Sequence, residues 1–324
     1  MILYPFTFQP LFKERVWGGR RLEQLYGKSL PPQVPIGESW EISDRPGDES
    51  IIENGPLAGK TLRWLMQYHP AELLGSARAE AGRFPLLIKI LDCQEKLSLQ
   101  VHPPAAKAAE LGGEPKTEMW YVAEALPTAE LYVGLKAGVT RKEFEAKLTT
   151  GTIANCFHRA GVRSGDAMFL PSGRAHAIGA GMVIFEIQQN SDTTYRVFDW
   201  NRVGADGKPR SLHVTESLAS IDFSDYEPGL VPREYRQAST LKLRLLVDDP
   251  LFKVEEVIAE DPSSLPLAPA KLRIVGVTEG RVVVQGGQAP VELTKGRFCL
   301  IPASVTSELQ LDRAAKLLLV ESGN

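Results

Sequence analysis

The sequence predicts a mainly β fold, two tandem double-sheet barrels with a few helical insertions. Three observations predict it. The 23 prolines and 28 glycines are spread over all 324 residues and break the chain into short segments joined by turns. The segments between them are rich in β-branched and aromatic residues, which suit half-buried strands. One strand–turn–strand pattern, Gly165-Asp-Ala-Met-Phe-Leu-Pro171-Ser-Gly173-Arg-Ala-His176, returns in degraded form as Gly296-Arg-Phe-Cys-Leu-Ile-Pro302-Ala-Ser304-Val-Thr-Ser307.

Taken in order, strands are expected over residues 84–91, 97–101, 119–122, 130–133, 167–170, 182–188 and 194–198. Helical patches are fewer, at 61–68, 104–111, 141–149 and 213–220, with Thr140 and Ser211 as N-cap candidates. A proline-spaced stretch, 226–233, reads as a linker. Beyond it the chain is almost wholly strand-like, at 241–247, 252–258, 271–277, 281–285, 289–293, 296–301 and 315–321. The expected division is a larger unit over 1–235 and a smaller one over 236–324.

Composition narrows the function classes. A net charge of −3 gives no nucleic-acid footprint. Cys93, Cys156 and Cys299 are odd in number and scattered, which argues against a disulfide framework and fits a reducing cytoplasm. The N-terminal residues lack the basic and apolar regions of a signal peptide. No apolar run approaches the roughly 20 residues of a membrane span. A cytoplasmic protein that binds neither nucleic acid nor membrane is the expectation.

The repeated pattern carries the first chemical hint. Pro171 fixes one φ and Gly173 permits an unusual one, so the turn presents His176 rigidly at the start of the next strand. A histidine held that way suggests a metal ligand. Its expected partners are Gln100 and His102, two apart in a strand and so on one face, together with Glu118. Two imidazoles, a carboxylate and an amide oxygen make a mixed N/O set that suits Zn²⁺, and also Mn²⁺, Co²⁺ or Fe²⁺. Ser307 replaces the histidine in the second copy, so that barrel is expected to hold no metal.

The pattern G-x5-P-x-G-x2-H resembles the second motif of the cupins, jelly-roll barrels (double-stranded β-helices) that hold a metal in their mouth; two in tandem make a bicupin. The first cupin motif departs from type, with Gln100-Val-His102 followed by a proline-bounded, alanine-rich insertion before Glu118. That departure, with Lys96-Leu-Ser98-Leu-Gln100-Val-His102-Pro103, Lys116-Thr-Glu118, Arg174-Ala-His176-Ala and Glu186-x3-Asn190-Ser191-Asp192-x3-Arg196, resembles the type I mannose-6-phosphate isomerases in their short bacterial form. Val16-Trp17-Gly18-Gly19 and Gly37-Glu38-Ser39-Trp40-Glu41 extend the resemblance over most of 1–220.

The resemblance implies one Zn²⁺ per chain on Gln100, His102, Glu118 and His176, and interconversion of mannose 6-phosphate and fructose 6-phosphate through a cis-enediol. It implies Arg196 as the active-site arginine, whose planar, permanently charged fork suits an enediolate or a phosphate. Glu186 matches a carboxylate proposed as base, Lys116 is a candidate proton shuttle or oxyanion binder, and Asp192 a candidate to orient Arg196 or the sugar. Ser98 and Lys96 join Arg196 as phosphate candidates, and Trp17, with Trp40 and Trp120, as a sugar-facing aromatic. A phosphosugar is the expected partner, with the chain a monomer or weak homodimer. The alternatives are a non-catalytic sugar-binding or regulatory bicupin, a cupin enzyme acting on another phosphosugar, and a cupin dioxygenase. His69, His158 and His213 read as ordinary surface or core residues, and residues 141–147 as the wet face of a helix.

Overall fold

The structure is a computed structural model and describes residues 2–79, 81–203 and 207–323. The first set of strands comprises β1 (Leu11–Gly19), β2 (Ile36–Ile42), the short pair β3 (Asp44–Arg45) and β4 (Asp48–Glu49), β5 (Leu86–Cys93), β6 (Leu99–Val101), β7 (Glu118–Ala125), β8 (Glu130–Leu135), β9 (Phe157–Gly161), β10 (Ala167–Leu170), β11 (His176–Ile178), β12 (Met182–Gln189) and β13 (Tyr195–Phe198). A six-stranded sheet in the order β1-β2-β5-β12-β7-β10 faces a five-stranded sheet in the order β13-β6-β11-β8-β9. The second set is β14 (Arg236–Ala238), β15 (Leu241–Asp248), β16 (Phe252–Ala259), β17 (Ser263–Leu267), β18 (Arg273–Glu279), β19 (Arg281–Gln285), β20 (Val291–Thr294), β21 (Phe298–Ile301), β22 (Ser307–Leu311) and β23 (Lys316–Ser322). It forms sheets β14-β15-β16-β23-β18-β21 and β17-β22-β19-β20. The mainly β expectation holds. The paired sheets are not hydrogen-bonded into closed cylinders; they stack as sandwiches.

Period-2 alternation explains how the large first sheet serves two masters. On β5, β7 and β12, Ile88, Ile90, Met119, Tyr121, Phe185 and Ile187 face one core, shared with α2 (Leu62–Tyr68), α3 (Pro70–Leu74) and the second set of sheets. Leu91, Trp120, Val122 and Ile184 face the opposite sheet. Three charged residues of these strands, Lys89, Glu118 and Glu186, share that second face and so lie between the sheets. A third core, around Phe144 and Phe157, covers the outer side of the five-stranded sheet, together with residues of α5 (Arg141–Thr149) and α6 (Val214–Ser220).

The helix signals read from the sequence fare unevenly. Thr61 Oγ1 accepts from the Trp64 N–H and Thr140 Oγ1 from the Glu143 N–H, capping α2 and α5. Ser211 caps nothing; α6 begins after His213, and the Ser211 carbonyl accepts instead from Arg196. The helix expected over 104–111 shrinks to α4 (Ala105–Ala108), followed by a turn. α1 (Arg21–Tyr26), α3, β1, β2 and several short strands were not foreseen, having weak periodicity. The expected linker is a bound strap: the buried Arg244 guanidinium donates to the Val231 and Pro232 carbonyls, and Arg233 pairs with Asp166.

Candidate metal centre and active-site cleft

Cross-strand register brings together residues that are distant in sequence. In the five-stranded sheet, Gln100 on β6 lies opposite Arg196 on β13 and opposite His176 on β11, so the three form one row. In the facing sheet, Glu186 on β12 lies opposite Lys89 on β5 and Trp120 on β7, and Gln188 lies opposite Glu118. The turn before β11 uses Gly173 as expected, with φ of +94°, where a side chain would be strained; Gly165, ahead of β10, has φ of +84°. The Gly173 N–H donates to the His102 carbonyl at 2.9 Å, linking the two histidine segments.

His102, Glu118 and His176 are buried, and their ligand atoms lie within 4.8 Å of one another. Each histidine donates its Nδ1–H to a backbone carbonyl, His102 to Thr193 at 2.8 Å and His176 to Arg174 at 2.9 Å. Since a carbonyl can only accept, both Nε2 atoms carry lone pairs. They sit 3.5 Å and 3.3 Å from Glu118 Oε1. Burial pushes His176 down to about 3, and lowers His102 with help from the Lys116 charge. Two neutral imidazole lone pairs therefore face an oxygen that has no hydrogen-bond donor among the described residues, where His102 Nε2 has no hydrogen-bond partner either. Buried polar atoms are rarely left so, and a divalent cation is the group that satisfies all three. The donor set fits such an ion.

Gln100 stands at the edge of this cluster. Its Nε2 lies 3.3 Å from His176 Nε2, and Ser98 Oγ donates to its Oε1 at 3.2 Å. Turning the amide through 180° brings Oε1 to the ion side. The Ser98 hydroxyl, able to donate or accept, then bonds Nε2.

A chain of alternating charges runs away from the cluster. Lys116 Nζ lies 2.7 Å from Glu118 Oε2 and 3.8 Å from Glu186 Oε1. Lys89 Nζ lies 3.3 Å from Glu186 Oε1 and 3.8 Å from Glu38 Oε2. Arg15 Nε donates to Glu38 Oε1 at 2.8 Å. Indole N–H groups donate to the carboxylates as well, Trp120 to Glu186 Oε2 at 3.1 Å and Trp40 to Glu38 Oε2 at 2.7 Å. Burial would raise Glu118, but the Lys116 charge outweighs it and holds the carboxyl well below its usual range. Burial likewise opposes the Lys116 charge, and Glu118 and Glu186 override it. At Glu38 burial is outweighed by Lys89 and Arg15, leaving the carboxyl at about 2.

Arg15, Glu38, Lys89, Lys116 and Glu186 line a cleft of about 470 Å³. Of the residues singled out in the sequence, Gln100, Lys116, Glu186, Asp192, Arg196, Ser98 and Trp17 border it. Lys96 does not: its ammonium bonds the Tyr132 hydroxyl at 3.0 Å and lies over the Trp200 ring, outside the cleft. Among the described residues Asp192 shows no bond to Arg196; it is exposed at the cleft edge and adds to the field on Lys116. Arg196 is placed instead by the Ser211 carbonyl, which accepts from Nη1 at 2.9 Å, and by His213 Nδ1, which accepts from its backbone N–H. Burial and the neighbouring Arg210 charge both lower its pKa. Trp40 and Trp120 are buried beside the charge chain and do not border the cleft. Arg15, Glu38, Lys89 and Arg210 do, and were missed as site residues. A larger cavity of about 690 Å³ lies between the N-terminal segment and residues 287–292. Its charged residues are already spent, Arg297 on Glu53 and Glu292 on Arg281, so the chemistry resides in the smaller cleft.

Known proteins resemble this chain throughout. The family model "Phosphomannose isomerase type I, catalytic domain" matches residues 6–121. Mannose-6-phosphate isomerase ManA of Bacillus subtilis is 35% identical over 324 residues, covering 98% of this chain and 99% of the relative. The chain belongs to the type I phosphomannose isomerase family. The mannose-6-phosphate isomerase of Streptococcus mutans is also 35% identical, covering 94% of each chain. Among solved structures, mannose 6-phosphate isomerase from B. subtilis superposes with a TM-score of 0.89 at 31% identity, covering 98% of this chain and 99% of that one. A phosphomannose isomerase variant from Salmonella typhimurium shares the fold, with a TM-score of 0.78 at 16% identity over 99% and 100% of the two chains. The family match to 6–121 contains Gln100, His102 and Glu118; the full-length relatives extend the likeness over His176, Glu186 and Arg196.

Proposed function

We propose that this family member interconverts mannose 6-phosphate and fructose 6-phosphate, and that it uses one Zn²⁺ held by Gln100, His102, Glu118 and His176. The observation that carries the reading is the facing of two rows across one cleft. Gln100, His102, His176 and Arg196 stand on the five-stranded side, and Glu118 with the Lys89–Glu186 pair stands on the six-stranded side, so the ligands converge from both sheets. Bound there, a divalent cation supplies Lewis-acid stabilisation for negative charge on the sugar oxygens.

The aldose-to-ketose step breaks the C2–H bond and forms a C1–H bond, while a hydroxyl proton leaves O2 and another reaches O1. Glu186 is the proposed base, since its carboxylate lies between two ammonium groups and is fixed by the Trp120 N–H. Lys116 sits where charge develops on O1 and O2. Next to Gln100 on the neighbouring strand Arg196, with Arg210 beside it, suits the phosphate dianion. Asp192 borders the sugar, and Trp17 offers an apolar wall. A binding-only role would leave the Lys116–Glu186–Lys89 chain beside the ligands without purpose.

The test is product identification in the metal-loaded full chain with mannose 6-phosphate deuterated at C2. Fructose 6-phosphate should appear with loss or C1 transfer of the label, and glucose 6-phosphate should not turn over at a comparable rate. No turnover of mannose 6-phosphate would overturn the proposal. Turnover undiminished by Glu186→Gln would remove Glu186 as the base.

A further inference from the structure

His102 and Glu118 lie at opposite ends of the segment 103–117, so that segment must be held if the two residues are to meet at one point. Its ends are built into sheets, but its middle is a short helix and an irregular turn. One acidic residue ties that turn down. Glu114 places Oε2 at 2.6 Å from Arg45 Nη1 and Oε1 against Arg83 Nη2. Arg45 Nη1 also donates to the Asn190 carbonyl at 3.0 Å. The backbone of Glu114 is held as well: its N–H donates to Thr193 Oγ1 at 3.0 Å, and its carbonyl accepts from Ser191 Oγ at 3.3 Å. The preceding Gly113 packs so closely that a Cβ would lie 2.7 Å from Thr193 Cγ2 and 2.5 Å from the Tyr195 hydroxyl. Thr193 in turn offers its carbonyl to His102 Nδ1–H.

We propose that Glu114 is a positioning residue for the ion site, clamping residues 103–117 through Arg45 and Arg83 so that Thr193 holds His102 in its ligating orientation. The proposal rests on the reading that the cluster binds a divalent cation. Glu114 touches neither ligand nor cleft. A partly exposed ion pair contributes little to stability by itself, but two guanidiniums on separate segments fix both carboxylate oxygens and so the direction of the turn. Thr193 is the joint at which the clamp meets the ligand: hydroxyl to the turn, carbonyl to the imidazole. Partners one shell out from a metal set the orientation of its histidines and, when removed, cost roughly 10–100-fold in affinity.

The experiment titrates the metal-stripped full chain with Co²⁺, reading the d–d absorption and the dissociation constant, with thermal unfolding in parallel. Glu114→Ala should weaken Co²⁺ binding about 10-fold, at the low end of that range, and alter the d–d bands, with little change in unfolding temperature. Thr193→Ala should act in the same direction. The double variant should be no weaker than the worse single one, because both loosen the same joint. If Glu114→Ala does not fold, Glu114→Gln, which keeps the shape and one acceptor, must show the shift. An unchanged dissociation constant in a folded Glu114 variant, or strictly additive effects in the double variant, would overturn the proposal. A wild-type chain that does not bind Co²⁺ would overturn the metal reading and this inference with it.

Discussion

The Gly165–His176 turn and the Gly296–Ser307 turn are built alike and used differently. Both begin on a left-handed glycine, with φ of +84° and +79°, and both lead through a proline into an inward-facing position. The first turn then uses a second left-handed glycine, Gly173, to bond the His102 carbonyl, and delivers His176 to Glu118. In the second, Ser304 does not adopt the left-handed conformation, and the Ala303 and Ser304 N–H groups dock on the carbonyls of Leu73 and Glu72 of α3. Ser307 follows, opposite Leu267 and on the buried face of β22 that carries Leu309 and Leu311, with no partner for its hydroxyl among the described residues. Burying such apolar side chains contributes roughly 1.5–3 kcal/mol each. The alternating ion chain of the first sheet pair yields little net stability after desolvation. One sheet pair is built to hold charge in place, the other to hold the molecule together.

The largest effect that breaks the comparison is His176→Ala. It should cost more than the roughly 100-fold affinity loss seen for outer-shell changes and abolish isomerisation, as read by metal analysis and assay. Its mirror, Ser307→His, should bring no second ion, because the residues around that position offer no further ligands. Next comes the division of labour within the active pair. Glu186→Gln should lower kcat by about 10²–10⁴ and Arg196→Ala by about 10²–10³, both with metal content unchanged. Metal lost in parallel with kcat would make Arg196 structural.

A smaller effect concerns acid. Because the folded Glu38 carboxyl sits at about 2, below its unfolded value of 4.5, its stabilisation is present above about pH 4.5 and disappears as pH falls toward 2. That contribution is on the order of 3 kcal/mol for a buried group, and Glu38→Gln should flatten that part of the stability-against-pH curve measured by denaturant unfolding. Smallest is Ser307→Ala. Removing an unpartnered buried hydroxyl should stabilise by about 1 kcal/mol and raise Tm by a few degrees.

The parts of the site legible in the sequence are those marked by their own neighbours. Pro171 and Gly173 announce His176, and Gln100-Val-His102 announces a shared strand face. Lys89 carries no such mark: it sits between Ile88 and Ile90 in an apolar run, and only the register against Glu186 gives it meaning. A signal was available, since a lone charge facing inward from an apolar strand needs a partner, and Glu186 is the matching charge in another apolar strand. Lys96 was named beside Ser98 as a phosphate candidate, but it precedes β6, which starts only at Leu99, and its ammonium turns to the Tyr132 hydroxyl. Asp192 was a candidate to orient Arg196 or the sugar; the bend after β12 leaves it at the cleft rim, with no bond to Arg196 among the described residues. Arg15 and Arg210 reach the cleft from an edge strand and a loop, and no local pattern marks either one.

The most direct test of the central claim, that one sheet pair holds a metal-dependent isomerase and the other none, is metal stoichiometry measured together with turnover of mannose 6-phosphate. One ion per wild-type chain, activity lost on chelation and restored by Zn²⁺, and neither ion nor activity in His176→Ala is the predicted result. Full turnover after rigorous chelation, or an ion retained by His176→Ala, would contradict it.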